Sequence, residues 1–463
     1  MDRFSSALLT DFYELTMAQG YFLQGMAEKR AAFEYFFRSY PCNSGFVIFA
    51  GLQTLLHALD GLRFQPHEIE YLRSREIFRE EFLSYLSRLR FSLDIYSPPE
   101  GTAVFAHEPI IRVEGPLLQL QLVETLVLNY INFQSLIATR AARVRLAAQG
   151  DPVLDFGLRR AHGPNGGLFG SRAAYIGGCS GTSNVQAGLE YSIPVLGTMA
   201  HSWIMGFSDE YAAFKAYAEV YPSNPILLVD TYDTIKSGLP NALRVFREMR
   251  ERGIKFRAGI RLDSGDLVDL SRRAWEALTR EGFETPLIVG SGDLDEYKIE
   301  DLKKRGARIN AWGVGTRLLT SAGCPYLSGV YKLAAVKEGE TWSPRIKLSS
   351  DPSKVSLPGR CNLWRIIRDG EYLGDYITLA EEEPGEKFAH GKLYLPMKIR
   401  MKKGKVLYGE GLEDMKKRAE EEVAKLPEGV KKLRDPERYP VFYSQRLIEL
   451  KKKLMESKNG GKN

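Results

Sequence analysis

The sequence predicts an α/β protein whose central part contains a parallel sheet. From Val153 onward, short apolar strand candidates recur, and amphipathic helical stretches separate several of them. Strands that alternate with helices of this length are typical of βα units. The 463 residues suffice for two domains, or for one large domain with a smaller one. We therefore expect a parallel α/β domain together with a second region of different pattern.

The strand candidates share an apolar run that ends in small or polar residues. They are VLDF (153–156), AAYIGG (173–178), IPVLGT (193–198), ILLVD (226–230), AGIRLD (258–263), LIVGS (287–291) and INAWGVG (309–315). The carboxyl ends of parallel strands share one edge of a sheet, so we expect a ligand site there. A barrel and a doubly wound open sheet both place the site at this edge.

The flanking sequence mixes strand and helix patterns. Residues 1–25 have the apolar spacing of an amphipathic helix, and residues 31–115 combine β-like runs with a polar helical stretch. Pro116 opens a long helical pattern that ends at Gly150. Beyond residue 337 the chain returns to β-like pieces and charged helices, and its last residues, SKNGGKN, predict disorder.

The composition is that of an ordinary globular protein, with 44% hydrophobic and 26% charged residues. No apolar stretch approaches the roughly 20 residues of a membrane helix. The N-terminus lacks the apolar core of a signal peptide, so we expect a cytoplasmic protein. The four cysteines are scattered, and no histidines are spaced as metal ligands. The sequence therefore predicts no dedicated transition-metal site.

Lysines beyond residue 400 contribute much of the net charge of +6. A basic tail can indicate nucleic-acid binding. Here acidic residues are interleaved with the lysines, as in GLEDMKKRAEEEV (411–423), which is typical of a solvated helix face. We favour the solvated face and expect no nucleic-acid partner.

Three loops that follow strand candidates contain residues suited to ligand binding or catalysis. Phe156 and Arg159 could hold a flat anionic ring, because aromatic and guanidinium groups stack on such rings. The small, polar residues 178–188 would allow backbone amides to approach a ligand. His201 could act as a base or a nucleophile. Each feature also has a structural interpretation: a core aromatic with an ion pair, a tight turn, and a satisfied histidine.

Aspartates and glycines complete the set of strand-end residues. Asp230 and Asp263 would suit Mg²⁺ or ribose hydroxyls. Glycines in two later loops would let backbone amides approach a phosphate, namely Gly290, Gly292, Gly313 and Gly315. Neither loop has the P-loop or the Rossmann pattern, so those two classes of nucleotide site are excluded.

Taken in order, a set of motifs resembles those of the nicotinate phosphoribosyltransferases. The motifs are LLTDFYELTMAQGYF (8–22), DFGLRRAHG (155–163), SGTSN (180–184), GTMAHSW (197–203), VDTYDT (229–234), IRLDSGD (260–266), GSGDLDE (290–296), WGVGTRL (312–318) and VYKLAAV (330–336). The similarity covers residues from about 5 to about 360 and is weaker over the lysine-rich C-terminal part.

The resemblance implies an irregular TIM-like α/β barrel over residues 116–336 and a second α+β domain built from residues 1–115 and 337–463. It implies an enzyme of NAD salvage that forms nicotinate mononucleotide and pyrophosphate from nicotinate and phosphoribosyl pyrophosphate. It also implies Mg²⁺, ATP hydrolysis through a phosphohistidine, as in an ATP-dependent ligase, and a homodimer with a shared active site.

By position, His201 matches the phosphorylated histidine of the family, Asp230 the carboxylate that orients it, and Asp263 a carboxylate beside the ribose and metal. Phe156 and Arg261 match the residues that sandwich the pyridine ring. The other substrate contacts would be Arg159, on the carboxylate side, and Tyr13, which would reach across the dimer interface. The resemblance assigns the phosphates to Ser291, Gly292, Gly313, Gly315, Thr316, Lys332 and Lys347.

Ser183 bears on the choice between nicotinate and nicotinamide. The similar nicotinamide phosphoribosyltransferases have an aspartate here, in G-T-D, whereas this chain has Gly181-Thr182-Ser183. An aspartate would repel the carboxylate of nicotinate, and a serine hydroxyl can donate to it. The residue therefore favours the acid.

Other functions stay open at this stage. A nicotinamide or quinolinate phosphoribosyltransferase would have the same fold, although the GTMAHS motif (197–202) argues against quinolinate. A catalytically silent sensor of the mononucleotide is a third possibility, which the complete set of phosphate loops and His201 disfavours.

Overall fold

A computed structural model describes residues 6–351, 354–384 and 391–459 of the protein. The chain divides into two compact units: residues 1–139 with 326–463, and residues 140–325. The first unit is called here the terminal unit and the second the central unit. The sequence-based bounds of the barrel, 116–336, extend beyond the central unit at both ends and stay a prediction.

The helices and strands are numbered in chain order. The helices are α1 Phe12–Leu23, α2 Leu52–Leu59, α3 Pro66–Arg73, α4 Glu80–Arg88, α5 Leu117–Leu122, α6 Glu124–Ala148, α7 Gly163–Ile176, α8 Val185–Tyr191, α9 His201–Met205, α10 Glu210–Val220, α11 Leu239–Glu251, α12 Leu267–Arg280, α13 Glu296–Lys304, α14 Thr316–Leu319, α15 Leu412–Ala424, α16 Glu428–Lys431 and α17 Gln445–Asn459. The strands are β1 Arg30–Phe37, β2 Val47–Ile48, β3 Asp94–Ser97, β4 Ala103–Val104, β5 Ile111–Pro116, β6 Val153–Asp155, β7 Gly181–Thr182, β8 Ile226–Leu228, β9 Gly259–Leu262, β10 Leu287–Gly290, β11 Ala311–Val314, β12 Gly329–Glu338, β13 Thr341–Pro344, β14 Cys361–Arg368, β15 Glu371–Leu379, β16 Lys392–Tyr394, β17 Lys398–Lys402, β18 Lys405–Val406 and β19 Val441–Tyr443.

The central unit contains the predicted parallel sheet, in the order β7-β6-β11-β10-β9-β8. In chain order, β6 is the first strand of this sheet and β11 is the last, and these two strands pair in parallel. This strand order is that of a sheet that curls back on itself. A single parallel bridge from Thr182 to Val195 adds a further segment beside β7. Within the described ranges, no ladder joins that segment to β8. The strand order is that of a barrel with one opening, consistent with the predicted irregular barrel.

Two of the seven predicted strands are wrong, because residues 193–198 (IPVLGT) form only the single bridge at Val195 and residues 173–178 are not extended. Residues 173–178 (AAYIGG) lie at the end of α7 rather than in the sheet, and the strand that pairs with β6 is the short β7. Glycines at 166, 167 and 170 weaken the helical signal of this segment because glycine is a poor helix former. The helix is stabilised instead by packing: a Cβ on Gly167 would lie 2.6 Å from the Leu158 side chain.

Helix boundaries differ in detail from the sequence predictions. The N-terminal helix spans Phe12–Leu23 and ends before Gly25, whose φ of +66° a glycine adopts without strain. Residues 1–5 of that prediction lie outside the described residues. The helical pattern after Pro116 is split into α5 and α6 at Val123. Of the C-terminal segment predicted to be disordered, residues 457–459 continue α17 and residues 460–463 are not described.

The terminal unit is α+β, as predicted for the second domain. Its seven-stranded sheet has the order β13-β12-β1-β5-β3-β17-β18, and its four-stranded sheet has the order β16-β14-β15-β19. Helix α15 buries Met415, Ala419 and Val423 along one side, and Lys417 is exposed. This arrangement matches the predicted solvated face. Among the described residues, no helix is long and apolar enough to cross a membrane.

Candidate active site

The edge formed by the carboxyl ends of the central strands carries most of the predicted site residues. Phe156 follows β6, Ser183 follows β7, Asp263 follows β9 and Ser291 follows β10. Asp230 lies two residues beyond β8. The parallel registers of these strands place their ends along one rim, which is where ligands bind in parallel α/β folds.

Arg261 of β9 links several of these loops. Its Nε donates to Ser291 Oγ at 2.8 Å, and its Nη2 donates to Asp263 Oδ1 at 2.6 Å. Its Nη1 donates to Thr198 Oγ1 at 3.1 Å and to the Met199 carbonyl at 3.3 Å. One planar guanidinium therefore ties together the segments that follow β9, β10 and the Val195 bridge.

Asp263 is held in its ionised form. Burial raises the pKa of its carboxyl group, but a 2.6 Å hydrogen bond from Ser291 Oγ and the charge of Arg261 outweigh burial. The net result is a pKa below the ordinary value for aspartate. The site therefore contains a fixed negative charge at neutral pH.

His201 begins the short helix α9, and its side chain is 41% exposed. Its Nδ1 lies 3.1 Å from Thr231 Oγ1, and its Nε2 lies 4.0 Å from Asp263 Oδ2. If Nδ1 carries the hydrogen, it donates a hydrogen bond to Thr231 Oγ1, and Nε2 keeps a lone pair for chemistry. The imidazole is accessible and lies beside a carboxylate.

Asp230 makes different contacts from those predicted. Its Oδ2 accepts hydrogen bonds from the Asp263 backbone N–H at 2.9 Å and from Ser264 Oγ at 2.6 Å. Among the described residues it makes no ion pair or hydrogen bond with His201. Within the described residues, the carboxylate that lies within 4.0 Å of the imidazole is that of Asp263, and Asp230 holds the backbone of the Asp263 loop.

Phe156 and Arg261, the two residues of the predicted sandwich, lie beside each other. The Arg261 Cζ lies 5.5 Å from the centroid of the Phe156 ring. A planar ligand between them needs about 7 Å, twice the optimal carbon–carbon contact of about 3.5 Å. Binding of a flat ring therefore requires these two side chains to move apart by about 1.5 Å.

Asp155 organises the loops on either side of Phe156. Its buried carboxylate accepts hydrogen bonds from the Gly157 N–H at 2.8 Å and from Thr182 Oγ1 at 2.7 Å. Its backbone carbonyl accepts from the Ser183 N–H at 2.8 Å. The Ser183 side chain is half-buried, and within the described part of the chain its hydroxyl has no hydrogen-bond partner. The Ser183 hydroxyl can therefore donate a hydrogen bond to a ligand. Arg159 lies on the neighbouring turn, and its side chain is exposed.

The glycines of the two later loops allow close backbone approaches. A Cβ on Gly292, whose φ is +89°, would lie 2.0 Å from the Asp263 carbonyl oxygen. A Cβ on Gly313 would lie 2.6 Å from the Phe156 ring, and one on Gly315 would lie 2.8 Å from the Phe156 carbonyl. Any side chain here would displace the ring or the aspartate loop.

An arginine joins these two loops. Arg317 Nε donates to Asp293 Oδ1 at 2.9 Å, and its Nη1 lies 3.4 Å from Asp295 Oδ2. Thr316, next to it, is exposed at the start of α14. The loop holding Ser291 and Gly292 and the loop holding Gly315 and Thr316 are thereby connected at the rim.

Three predicted site residues belong to the terminal unit. Tyr13 lies on α1 and is 46% exposed. Lys332 lies on β12, with its Nζ 3.8 Å from Glu124 Oε1. Lys347 is exposed, and its backbone N–H and carbonyl are hydrogen-bonded to Ser356. Their proposed substrate contacts stay predictions.

Sequence reasoning missed the hydroxyl groups that hold the site together. Thr198, Thr231 and Ser264 contact Arg261, His201 and Asp230 respectively. Each follows a strand segment, and that position was the one available signal.

No group of three or more His, Cys, Asp or Glu residues in the described ranges could hold a metal ion. At this rim, the buried oxygen Asp230 Oδ1 has no hydrogen-bond partner among the described residues.

Comparison with known proteins identifies the family. Residues 8–132 match the nicotinate phosphoribosyltransferase N-terminal domain, residues 152–362 the nicotinate phosphoribosyltransferase family, and residues 388–451 the C-terminal domain. The chain is 41% identical to the nicotinate phosphoribosyltransferase of Bacillus subtilis, over 98% of this chain and 97% of that protein. This chain belongs to the nicotinate phosphoribosyltransferase family.

Solved structures agree with the assignment. The crystal structure of human nicotinic acid phosphoribosyltransferase superposes with a TM-score of 0.83 at 31% identity, covering 96% of this chain and 99% of that chain. A nicotinate-nucleotide pyrophosphorylase from Pyrococcus furiosus superposes with a TM-score of 0.73 at 22% identity, covering 92% of this chain and 97% of that chain. The second likeness concerns the fold alone. Together they confirm the predicted fold class.

The depressed pKa of Asp263 predicts a pH-dependent stability. Because the folded pKa lies below the unfolded value of about 3.9, ionised Asp263 stabilises the fold above that pH. This contribution is lost as the pH falls through the lower folded pKa. In Asp263→Asn, the melting temperature should therefore fall less steeply than in the wild type between about pH 5 and pH 3. Asp269→Asn, on the exposed side of α12, is the matched control; equal slopes for wild type and Asp263→Asn would contradict the expectation.

Proposed function

We propose that this chain joins nicotinate to the ribose of phosphoribosyl pyrophosphate, releasing nicotinate mononucleotide and pyrophosphate, in the salvage of NAD. We propose further that the reaction is coupled to ATP hydrolysis through phosphorylation of His201. The observation that carries the proposal is the rim of the central sheet, where His201, Asp263 and the Phe156–Arg261 pair lie together. Membership of the family supports the choice of substrates.

The residues around Phe156 suit an anionic pyridine ring. Phe156 and Arg261 would stack on its two sides, and the charge of Arg261 would favour the nicotinate anion. Ser183 would donate a hydrogen bond to the carboxylate, with exposed Arg159 as a second cation nearby. An aspartate in place of Ser183 would place like charges together, which costs several kcal/mol.

The glycosyl transfer needs positioning and charge stabilisation. The lone pair of the pyridine nitrogen forms the bond to C1′ of the ribose, while the bond from C1′ to the pyrophosphate oxygen breaks and pyrophosphate leaves with the electron pair. The nitrogen of the nicotinate anion carries no proton, so no base is required. Ionised Asp263 would stabilise the positive charge that develops on the ribose, and Asp230 would hold Asp263 in place.

A Mg²⁺ ion would neutralise the departing pyrophosphate when bound. Carboxylate oxygens are suitable ligands for this ion, and Asp230 Oδ1 is a buried oxygen without a hydrogen-bond partner in the part of the chain that the structure describes. Asp263 Oδ2, at 4.0 Å from the imidazole, is a second candidate. Mg²⁺ typically uses one or two carboxylates together with substrate phosphates, which fits a site without a larger ligand cluster.

His201 has the geometry of a phosphate acceptor. With Nδ1–H donating a hydrogen bond to Thr231 Oγ1, Nε2 would attack the γ-phosphorus of ATP, and ADP would leave with the bonding electrons. Asp263 would stabilise the positive imidazole that forms. Hydrolysis of this phosphohistidine would return the free imidazole and release phosphate, which provides the free energy for product formation.

We also propose a cytoplasmic homodimer with a shared site. Helix α1 and the loop before it expose Leu9, Phe12, Tyr13 and Met17. The central unit separately exposes Val185, Leu189, Val195 and Met205. Apolar groups exposed in this way mark protein interfaces. A second copy would cover them, and Tyr13 would then stack on the nicotinate bound by its partner.

The first test replaces the proposed phosphate acceptor. His201→Asn should keep the fold and lose the stimulation by ATP, because an amide cannot accept the phosphoryl group. Radioactivity from γ-labelled ATP should label the wild type and not the variant. His67→Asn, at an exposed position on α3, should behave as the wild type. Unchanged ATP stimulation in His201→Asn would mean that another residue is phosphorylated.

The second test concerns base selectivity. Ser183→Asp should lower kcat/KM for nicotinate by about a hundredfold, because a like-charge contact costs several kcal/mol and each 1.4 kcal/mol is tenfold. The value for nicotinamide should change in the opposite direction. Ser183→Ala, which removes the donor without adding charge, should lose much less. A wild type that prefers nicotinamide by tenfold or more would refute the role of Ser183.

The third test uses hybrid dimers. Tyr13→Ala and Arg261→Ala should each be nearly inactive, and a hybrid of the two should contain one intact site. Random mixing in equal amounts makes half of the dimers hybrid, so about a quarter of the wild-type activity should return. Mixing Arg261→Ala with Asp263→Asn is the control and should restore nothing. The shared site is wrong if the first mixture also stays inactive.

A further inference from the structure

Four buried polar residues form a closed hydrogen-bond network in the central unit. They are Asp155, Ser171, Thr182 and Asn184, and each is at most 2% exposed. Asp155 Oδ2 accepts hydrogen bonds from Ser171 Oγ at 2.8 Å and from Thr182 Oγ1 at 2.7 Å. The Asn184 N–H donates to Thr182 Oγ1 at 3.0 Å, and Asn184 Nδ2 donates to Ser171 Oγ at 3.3 Å. These four residues, called here the base-loop network, connect β6, α7, β7 and the start of α8.

Ser183 lies between two members of this network. Thr182 precedes it and Asn184 follows it, and both of these residues are buried. The Ser183 N–H donates to the Asp155 carbonyl at 2.8 Å, so the backbone is held on both sides of the serine and at the serine itself. The Ser183 side chain is half-buried and lies outside the network. The network therefore fixes the backbone of Ser183 and leaves its hydroxyl for a ligand.

The same carboxylate holds the backbone beside Phe156. Asp155 Oδ1 accepts a hydrogen bond from the Gly157 N–H at 2.8 Å, and the Phe156 N–H donates to the Val314 carbonyl at 2.9 Å. One buried carboxylate thus fixes the chain on both sides of the aromatic ring and, through Thr182, the chain beside Ser183.

We propose that Asp155, Ser171 and Thr182 are positioning residues that set the preference for nicotinate over nicotinamide. The proposal rests on the proposed function, in which Phe156 stacks on the pyridine ring and Ser183 donates to its carboxylate. It assigns part of the selectivity to buried residues whose polar groups are already hydrogen-bonded within the protein and which act through Ser183.

The two bases depend differently on the position of the Ser183 hydroxyl. A hydrogen bond weakens steeply when its angle falls below about 120°, so a small shift of the loop is enough to remove it. Nicotinate loses more than nicotinamide, because a hydrogen bond to a charged acceptor is stronger than one to a neutral group. Misplacement of Ser183 therefore lowers the selectivity, whereas a general loss of folded protein lowers the turnover of both bases equally.

Thr182→Val in the full-length enzyme tests the proposal. Valine keeps the shape of threonine and removes the hydroxyl, which leaves the buried Asn184 N–H without its acceptor. The value of kcat/KM for nicotinate should fall about tenfold, as for the loss of a hydrogen bond to a charged group, and the value for nicotinamide should stay within about twofold. Thr182→Ser retains the hydroxyl and should restore the wild-type ratio of the two values.

Thr139→Val is the matched control, because Thr139 is a buried threonine in the terminal unit with the same kinds of hydrogen bond. Its Oγ1 donates to the Ser135 carbonyl at 2.6 Å and accepts from the Ile48 N–H at 2.9 Å. The control should lower the melting temperature about as much as Thr182→Val and leave the ratio of the two kcat/KM values unchanged. A ratio that falls in both variants, or in neither, would overturn the proposal.

Ser171→Ala changes the network from α7 and decides the question if Thr182→Val does not fold. It should lower the ratio by about threefold, the effect of one neutral hydrogen bond, because Thr182 still donates to Asp155. An unchanged ratio in Ser171→Ala would count against the proposal.

The double variant Thr182→Val/Ser183→Ala tests whether Thr182 acts through Ser183. Because both changes remove one contact with the base, its kcat/KM for nicotinate should equal that of Ser183→Ala alone. Multiplication of the two single effects would show that Thr182 acts by another route and would refute the positioning role.

Isothermal titration calorimetry with nicotinate and nicotinamide measures the same selectivity without turnover, and Thr182→Val should lower it there too. A wild type that does not turn over nicotinate would refute the proposed function itself. A wild type that turns over nicotinate, together with an unchanged ratio in Thr182→Val, would refute the positioning role alone.

Discussion

The site depends on the hydrogen bonds of one guanidinium group. Arg261 donates to Asp263, Ser291 and Thr198, and these three residues lie in three different loops. The planar fork of arginine holds one side chain from each of these loops, and its Cζ lies 5.5 Å from the centroid of the Phe156 ring. The residue proposed to stack on the base thereby also sets the charge and position of the carboxylate proposed to stabilise the ribose.

Asp263 is the second centre of this arrangement, and its surroundings explain why it stays ionised. Its Oδ1 accepts from Arg261 and Ser291, and its backbone N–H is held by Asp230. The other oxygen, Oδ2, remains for His201 at 4.0 Å and for ligands. A preorganised charge of this kind costs no reorganisation when the transition state forms. The close approach of Gly292 to the Asp263 carbonyl keeps the loop that follows β10 against the loop that contains Asp263.

Much of the fold and of the site could be predicted from the sequence, because strand ends are visible as apolar runs that stop at Asp230, Asp263 or Ser291. The order of the motifs along the chain also indicated the protein family. The sequence does not mark the segment 173–178 as the end of a helix, because the glycines at 166, 167 and 170 weaken the helical signal before it and packing stabilises α7 instead. The resemblance to the family implied that Asp230 orients His201. In the structure, the carboxylate beside His201 is that of Asp263. The position of a residue after a strand predicts which loop its side chain belongs to. The contacts of that side chain depend on its rotamer and on neighbouring hydroxyl groups, such as those of Thr198 and Thr231, which the strand pattern does not reveal.

Taken together, a family assignment over nearly the whole chain and a rim of acidic, aromatic and glycine residues support one reaction. The most direct test is chromatographic detection of nicotinate mononucleotide after the purified protein is incubated with nicotinate, phosphoribosyl pyrophosphate and Mg²⁺, with and without ATP. The account predicts the mononucleotide and an equal amount of pyrophosphate, with more product when ATP is present and almost none from Arg261→Ala. Consumption of nicotinamide or quinolinate in place of nicotinate, or full activity of Arg261→Ala, would contradict it.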